Sequence, residues 1–115
     1  MKTYMVNPNK NGPEFEFTGD DLQDAIRKDF KHLMTHGSRY ILGNFKLIEV
    51  SLFAGSRETV EGSIWRGAIL ECTYRGFDLD PFDLEEKMTT YTEINCPKEE
   101  LPDGILYLPL EGLLD

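Results

Sequence analysis

Leu22, Ile26, Phe30 and Leu33 recur at spacings of four, four and three, with Ala25 and Met34 beside them. That is one apolar stripe at the helical period, the mark of a helix laid against a core. It predicts a single long helix over residues 18–37 (TGDDLQDAIRKDFKHLMTHG). Thr18 suits the N-cap, where its hydroxyl can accept from an unpaired amide of the first turn. Asp20 and Asp21 put negative charge at the positive end of the helix dipole, and His32 and His36 lie near the other end. Gly37 suits the left-handed residue that stops a helix. Asp24 is placed to pair with Arg27 or Lys28 on the wet face. Such a helix needs a sheet to cover its stripe.

The flanking pattern supplies that sheet. Residues 2–6 (KTYMV) and 14–17 (EFEF) are β-prone and are separated by the turn-rich NPNKNG, so they predict a hairpin. After the helix, 39–42 (RYIL) is brief. Residues 45–53 (FKLIEVSLF) form the strongest strand, with Ile48, Val50 and Leu52 facing one way and Phe45, Leu47 and Phe53 the other. Apolar residues on both faces predict a central strand. Residues 54–61 are expected to be a loop or a frayed hairpin end. Residues 63–74 (SIWRGAILECTY) predict an antiparallel partner strand, with Gly67 marking a bulge. Asp80 followed by Pro81 suggests one helical turn over 81–86. Residues 88–94 and 105–110 complete the strands, Pro109 placing the last at an edge. The expected architecture is α+β: an antiparallel sheet of about five or six strands on one long helix, in the order β-β-α-β-β-(short α)-β-β.

Length changes this picture little. A chain of 115 residues, 40% of them hydrophobic, fits one domain over 1–115 with a real core. No apolar run approaches membrane-spanning length, and residues 1–12 lack the apolar stretch of a signal peptide. Cys72 and Cys96 are far apart and form no C-x-x-C, which predicts reduced thiols in a cytoplasmic protein.

Charge changes it more. The net charge is −9. Residues 1–76 hold ten Lys/Arg and ten Asp/Glu, whereas 77–115 hold Lys87 and Lys98 against eleven acids. The last third therefore carries the whole imbalance, which predicts an acidic face that repels nucleic acid and attracts basic partners.

Candidate chemistry is sparse. Gly19, Asp20 and Asp21 spell GDD, but acids are expected there for capping alone. Phosphate-loop, dinucleotide, zinc-protease and nucleophile-elbow motifs are missing from the sequence. Asp29, His32 and His36 fall on one flank of the expected helix, where they could hold a divalent metal or work as an acid–base pair. Polar residues bordering a core explain the same pattern more simply. Arg27, Lys28, Lys31 and Arg39, with Tyr40 for stacking, would suit a nucleic-acid patch. Asp20, Asp21 and Asp24 balance them, and a solvated helix face is preferred. No metal or other cofactor is expected.

The segment 77–86 (FDLDPFDLEE) interleaves Asp78, Asp80, Asp83, Glu85 and Glu86 with Phe77, Leu79, Phe82 and Leu84. Acids can steer toward a basic protein, and an aromatic such as Phe82 can anchor the contact. Equally, the apolar residues could dock this turn on the core and leave its acids in water.

In its small size, acidic balance and lack of a catalytic set, the chain resembles immunity proteins that neutralise nuclease or other toxins. It is similar in the same way to phage-encoded inhibitors of host defence nucleases. The resemblance is one of type, covers no defined stretch and assigns no residues. It implies a non-catalytic protein; the confinement of the net charge to 77–115 separately offers Asp78, Asp80, Phe82, Asp83, Glu85 and Glu86 to face a basic toxin or nuclease domain. The resemblance implies no direct nucleic-acid or membrane contact. Two other classes compete with it. One is a small enzyme using Asp29, His32 and His36. The other is an assembly subunit whose tail, 105–114, packs on another copy and whose oligomer Leu113→Asp would break.

Overall fold

The computed structural model describes residues 1–6, 15–35, 45–77 and 85–113. The fold is α+β: a six-stranded antiparallel sheet with two helices packed on one face. Strands β1 (Lys2–Val6) and β2 (Phe15–Gly19) pair as the expected hairpin, with Tyr4 opposite Phe17. Helices α1 (Leu22–Lys28) and α2 (Phe30–Thr35) follow. Then come β3 (Phe45–Glu58), β4 (Ile64–Phe77), β5 (Glu85–Asn95), a 3-10 turn at Lys98–Glu100 and the two-residue β6 (Leu106–Tyr107). The order across the sheet is β2-β1-β5-β4-β3-β6. Consecutive strands β3, β4 and β5 form a meander, β1 closes on β5, and β6 returns to the far side of β3.

The expected long helix is two short ones. Asp29 caps the C-terminus of α1 at φ −113°, ψ 23°, outside helical geometry. Aspartate is a poor interior residue because its carboxylate competes for nearby backbone donors. The stripe survives the break: Leu22, Ala25, Ile26, Phe30 and Leu33 are all buried. Thr18 is not the cap, because pairing with β1 carries β2 through Gly19. Asp21 takes the role, its Oδ1 accepting from the Asp24 backbone N–H at 2.8 Å. Asp24 pairs with Lys28 at 3.1 Å, while Arg27 turns elsewhere. Gly37, His36 and the 39–42 stretch lie outside the described residues.

A bulge moves one side chain across the sheet. The β3–β4 register shifts between Leu47 and Glu49, so Ile48 is the extra residue. An inserted residue reverses the side-chain alternation beyond it. Leu47 therefore joins Val50 and Leu52 on the helix-facing side, opposite Tyr74, Cys72 and Leu70, and not Phe53 as the simple alternation predicted.

Gly67 marks no bulge. It pairs in register with Gly55, and an added Cβ would fall 2.5 Å from the Ile94 carbonyl oxygen and against the Trp65 ring. The residue has to be small there for close approach.

Two further expectations fail because pairing extends beyond the local signals. Residues 54–58 continue β3, since β4 offers partners as far as Ile64. Glu85 and Glu86 begin β5 opposite Phe77 and Gly76, so they are not in a helical turn. The last strand shrinks to Leu106–Tyr107.

The core lies between the sheet and α1–α2. Tyr4, Phe17, Phe30, Ile26, Leu33 and Ile94 are among its fully buried large side chains. Leu108 and Leu113 of the tail close one side, and Arg27 holds the tail through the Pro109 and Glu111 carbonyls at 3.4 and 3.1 Å. The tail thus docks on its own chain, although Ile105, Tyr107 and Leu110 stay exposed.

Candidate functional site

Aspartates cap helices, and Asp20 and Asp21 open α1 beside the 3-10 turn that carries Glu99 and Glu100. The two acidic segments come together because that turn is tied back to β1. Glu100 Oε1 accepts from Tyr4 Oη at 2.7 Å and from Lys2 Nζ at 2.8 Å. Lys2 first, then Tyr4, holds the Glu100 carboxyl below its ordinary range. Burial, reinforced by Glu100, pushes the Tyr4 phenol up. The result is a cleft of about 210 Å³ with an apolar floor of Leu22, Leu52, Pro102 and Leu106 and a polar rim of Asp21, Gln23 and Glu100. Chemically it fits the stem of a lysine or arginine side chain, whose methylenes prefer apolar surface while the charged head stays at a polar rim.

The side of the sheet away from the helices carries a second group. Arg57 forms a bidentate pair with Glu93, Nε to Oε2 at 2.6 Å and Nη2 to Oε1 at 2.9 Å. Its guanidinium carbon lies 5.9 Å from the Trp65 ring centre. Trp65 Nε1 donates to Asn95 Oδ1 at 2.8 Å. These bonds tie the β3–β4 hairpin to β5.

The residues predicted to face a partner fare differently. Asp78, Asp80, Phe82 and Asp83 lie outside the described residues. Glu85 and Glu86 sit at the start of β5. Just beyond them, Lys46, Arg75 and Lys87 occupy one cross-strand register row. The described ends of the acidic segment, Phe77 and Glu85–Glu86, therefore pair next to the register row of Lys46 and Arg75.

The acidic face expected of the last third is partly neutralised among the described residues. Glu93 and Glu100 are paired with Arg57 and Lys2, both from the first seventy-six residues. Glu99, Asp103 and Glu111 remain exposed.

Of the acid–base candidates, His32 Nδ1 lies 3.6 Å from Asp29 Oδ1. Two residues three apart in a helical segment approach this closely without further purpose. The His32 side chain is 73% exposed, and its ring meets the edge of Phe15 at 6.0 Å. His36 is outside the described residues. Among the described residues, no group of three His, Cys, Asp or Glu is placed to hold a metal. Cys72 and Cys96 are both free. No described helix is long and apolar enough to cross a membrane.

Compared with known protein families, curated proteins and solved structures, the chain matches none. Its reading rests on its own chemistry. The cleft and the Arg57–Glu93 pair were beyond sequence reasoning because each joins residues 36 to 98 positions apart.

Proposed function

We propose that this protein is a non-catalytic binding protein that neutralises a basic protein partner. The form we favour is an immunity protein against a nuclease or other toxin. A phage-type inhibitor of a host defence nuclease is the alternative form. The observation that carries the reading is the cleft, in which Asp21 and Glu100 rim an apolar floor on a chain of net charge −9. A basic side chain from a partner would bury its stem there, with the exposed carboxylates of Asp20, Glu99 and Asp103 around its head. The wider negative field would speed encounter and oppose nucleic acid.

The test is affinity for the product of the adjacent gene, measured over a range of salt. Asp20→Lys, Glu99→Lys and Asp103→Lys reverse exposed charges around the cleft without removing the Asp21 cap. Asp80→Lys, Asp83→Lys and Glu86→Lys reverse the acidic segment. A basic partner whose binding weakens with salt and with at least one of these sets supports the reading. Binding that is indifferent to salt and to both sets defeats it.

A further inference from the structure

Strand parity gives the sheet a second face, on which no described helix packs. Leu47, Val50 and Leu52 of β3 and Leu70, Cys72 and Tyr74 of β4 face the helices, so the residues between them face away. In that outer layer, Tyr107, Ser51, Glu71 and Tyr91 form one cross-strand row over β6, β3, β4 and β5. The two tyrosines at its ends are 64% and 63% exposed. The next row carries Phe53, Ile69 and Glu93. Beyond it Trp65 lies over Gly67, and the Ile69 side chain lies over Gly55. The floor thus mixes the apolar Phe53 and Ile69 with Ser51 and Glu71, and aromatic rings flank it.

The dimensions suit one kind of occupant. Three strand spacings separate the tyrosines, about 14 Å. An α-helix with its side chains is about 10–12 Å across. From Glu49 to Arg57 the floor runs eight residues along β3, about 27 Å, which is the length of an 18-residue helix.

Charge selects among helices. Glu71 is half-buried in the floor, and Glu49 is exposed beside it. Neither forms an ion pair with another described residue. A carboxylate set among aromatic rings favours a cation that can be desolvated with it. At the far end, the exposed Lys46 disfavours one. A second copy would set one chain of net charge −9 against another, which disfavours self-pairing.

We infer that the outer face of β3–β4, between Tyr91 and Tyr107, docks a basic amphipathic helix of a protein partner, with its cations over Glu49 and Glu71. This deepens the proposed function and rests on its basic partner, but it uses a surface separate from the cleft.

The probe is a stapled 18-residue helical peptide of about that floor length, with leucines on one face, flanking lysines and no tryptophan. A second peptide replaces lysine by glutamate. Trp65 is the chain's single tryptophan and reports directly on this face. Expected are a saturable change in Trp65 emission with the lysine peptide alone and amide shifts along residues 49–57, 67–73 and 89–93. Glu71→Gln, Tyr91→Ala and Tyr107→Ala should each weaken binding, and Glu71→Lys should weaken it at least about tenfold. Their free amide spectra show whether each variant is folded.

Equal binding of the two peptides, no binding of either, or outer-face burial by self-association in sedimentation would each overturn the inference. Shifts confined to Asp20–Gln23 and Glu99–Leu106 would overturn it while leaving the basic-partner reading intact. Conversely, an adjacent-gene partner indifferent to charge would defeat that reading whatever the peptide does.

Discussion

Tyr4 and Glu100 meet at 2.7 Å across ninety-six residues of chain. Tyr4 is 2% exposed, and its hydroxyl is the inner anchor of the 3-10 turn that forms one wall of the cleft. Because Lys2 and Tyr4 hold the Glu100 carboxyl down, the unfolded chain binds its proton more readily. The stabilisation is therefore present at neutral pH and lost as pH falls through the depressed value, below the ordinary carboxylate range. Tyr4→Phe should cost about 1.5 kcal/mol at neutral pH, as expected for a bond to a charged acceptor. It should also flatten the pH dependence at the acid end. Urea unfolding at neutral and acid pH checks both, and unchanged neutral stability would contradict the first.

Gly67 tests the close approach at the outer face. Its missing Cβ would press on the Ile94 carbonyl and the Trp65 ring. Gly67→Ala should destabilise by about 1–3 kcal/mol, the usual range for overpacking. It should also alter Trp65 emission, because the ring is the softer of the two neighbours. A thermal melt and one emission spectrum suffice. A variant as stable as the parent would show that the sheet yields there at no cost.

The tail offers a choice between core and interface. Leu113 is 3% exposed within the chain itself, and Arg27 grips the carbonyls before it. Leu113→Ala should therefore cost about 2–5 kcal/mol, the range for a core leucine. Leu113→Asp should unfold the protein without passing through a folded, smaller species. Sedimentation alongside circular dichroism separates the cases. A folded product of lower mass would restore the assembly-subunit reading.

The thiols should be slow to react. Burial pushes Cys72 up to about 12, and burial with Glu100 and Glu99 nearby pushes Cys96 up to about 11. Only the thiolate attacks a disulfide reagent. At mildly alkaline pH both should lag behind the unfolded protein, Cys72 furthest. Since the unfolded thiols ionise first, stability should fall as pH rises above their ordinary range. A reagent assay with and without urea measures the protection; a fast Cys72 would argue against its placement in the core.

The sequence was a good guide wherever a signal is local. A helical stripe is set by neighbours three and four apart, so Leu22, Ile26, Phe30 and Leu33 could be assigned to a core without coordinates. Alternation and turn residues likewise located the β1–β2 hairpin and the long β3–β4 pair. Even there, strand ends were misjudged. A backbone keeps pairing for as long as its neighbour offers partners, whatever its own residues prefer.

Sheet register belonged to the folded molecule. One inserted residue at Ile48 moved Leu47 to the other face. Pairing of β6 with β3 placed Tyr107 in line with Tyr91, and the meander set Arg57 against Glu93. Composition could count the acids of the last third, but it could not tell that Glu93 and Glu100 meet cations from the first seventy-six residues. Periodicity reads the few neighbours that a backbone conformation brings together. Charge pairing and surface relief depend on which distant segments share an edge, and that is decided when the strands pair.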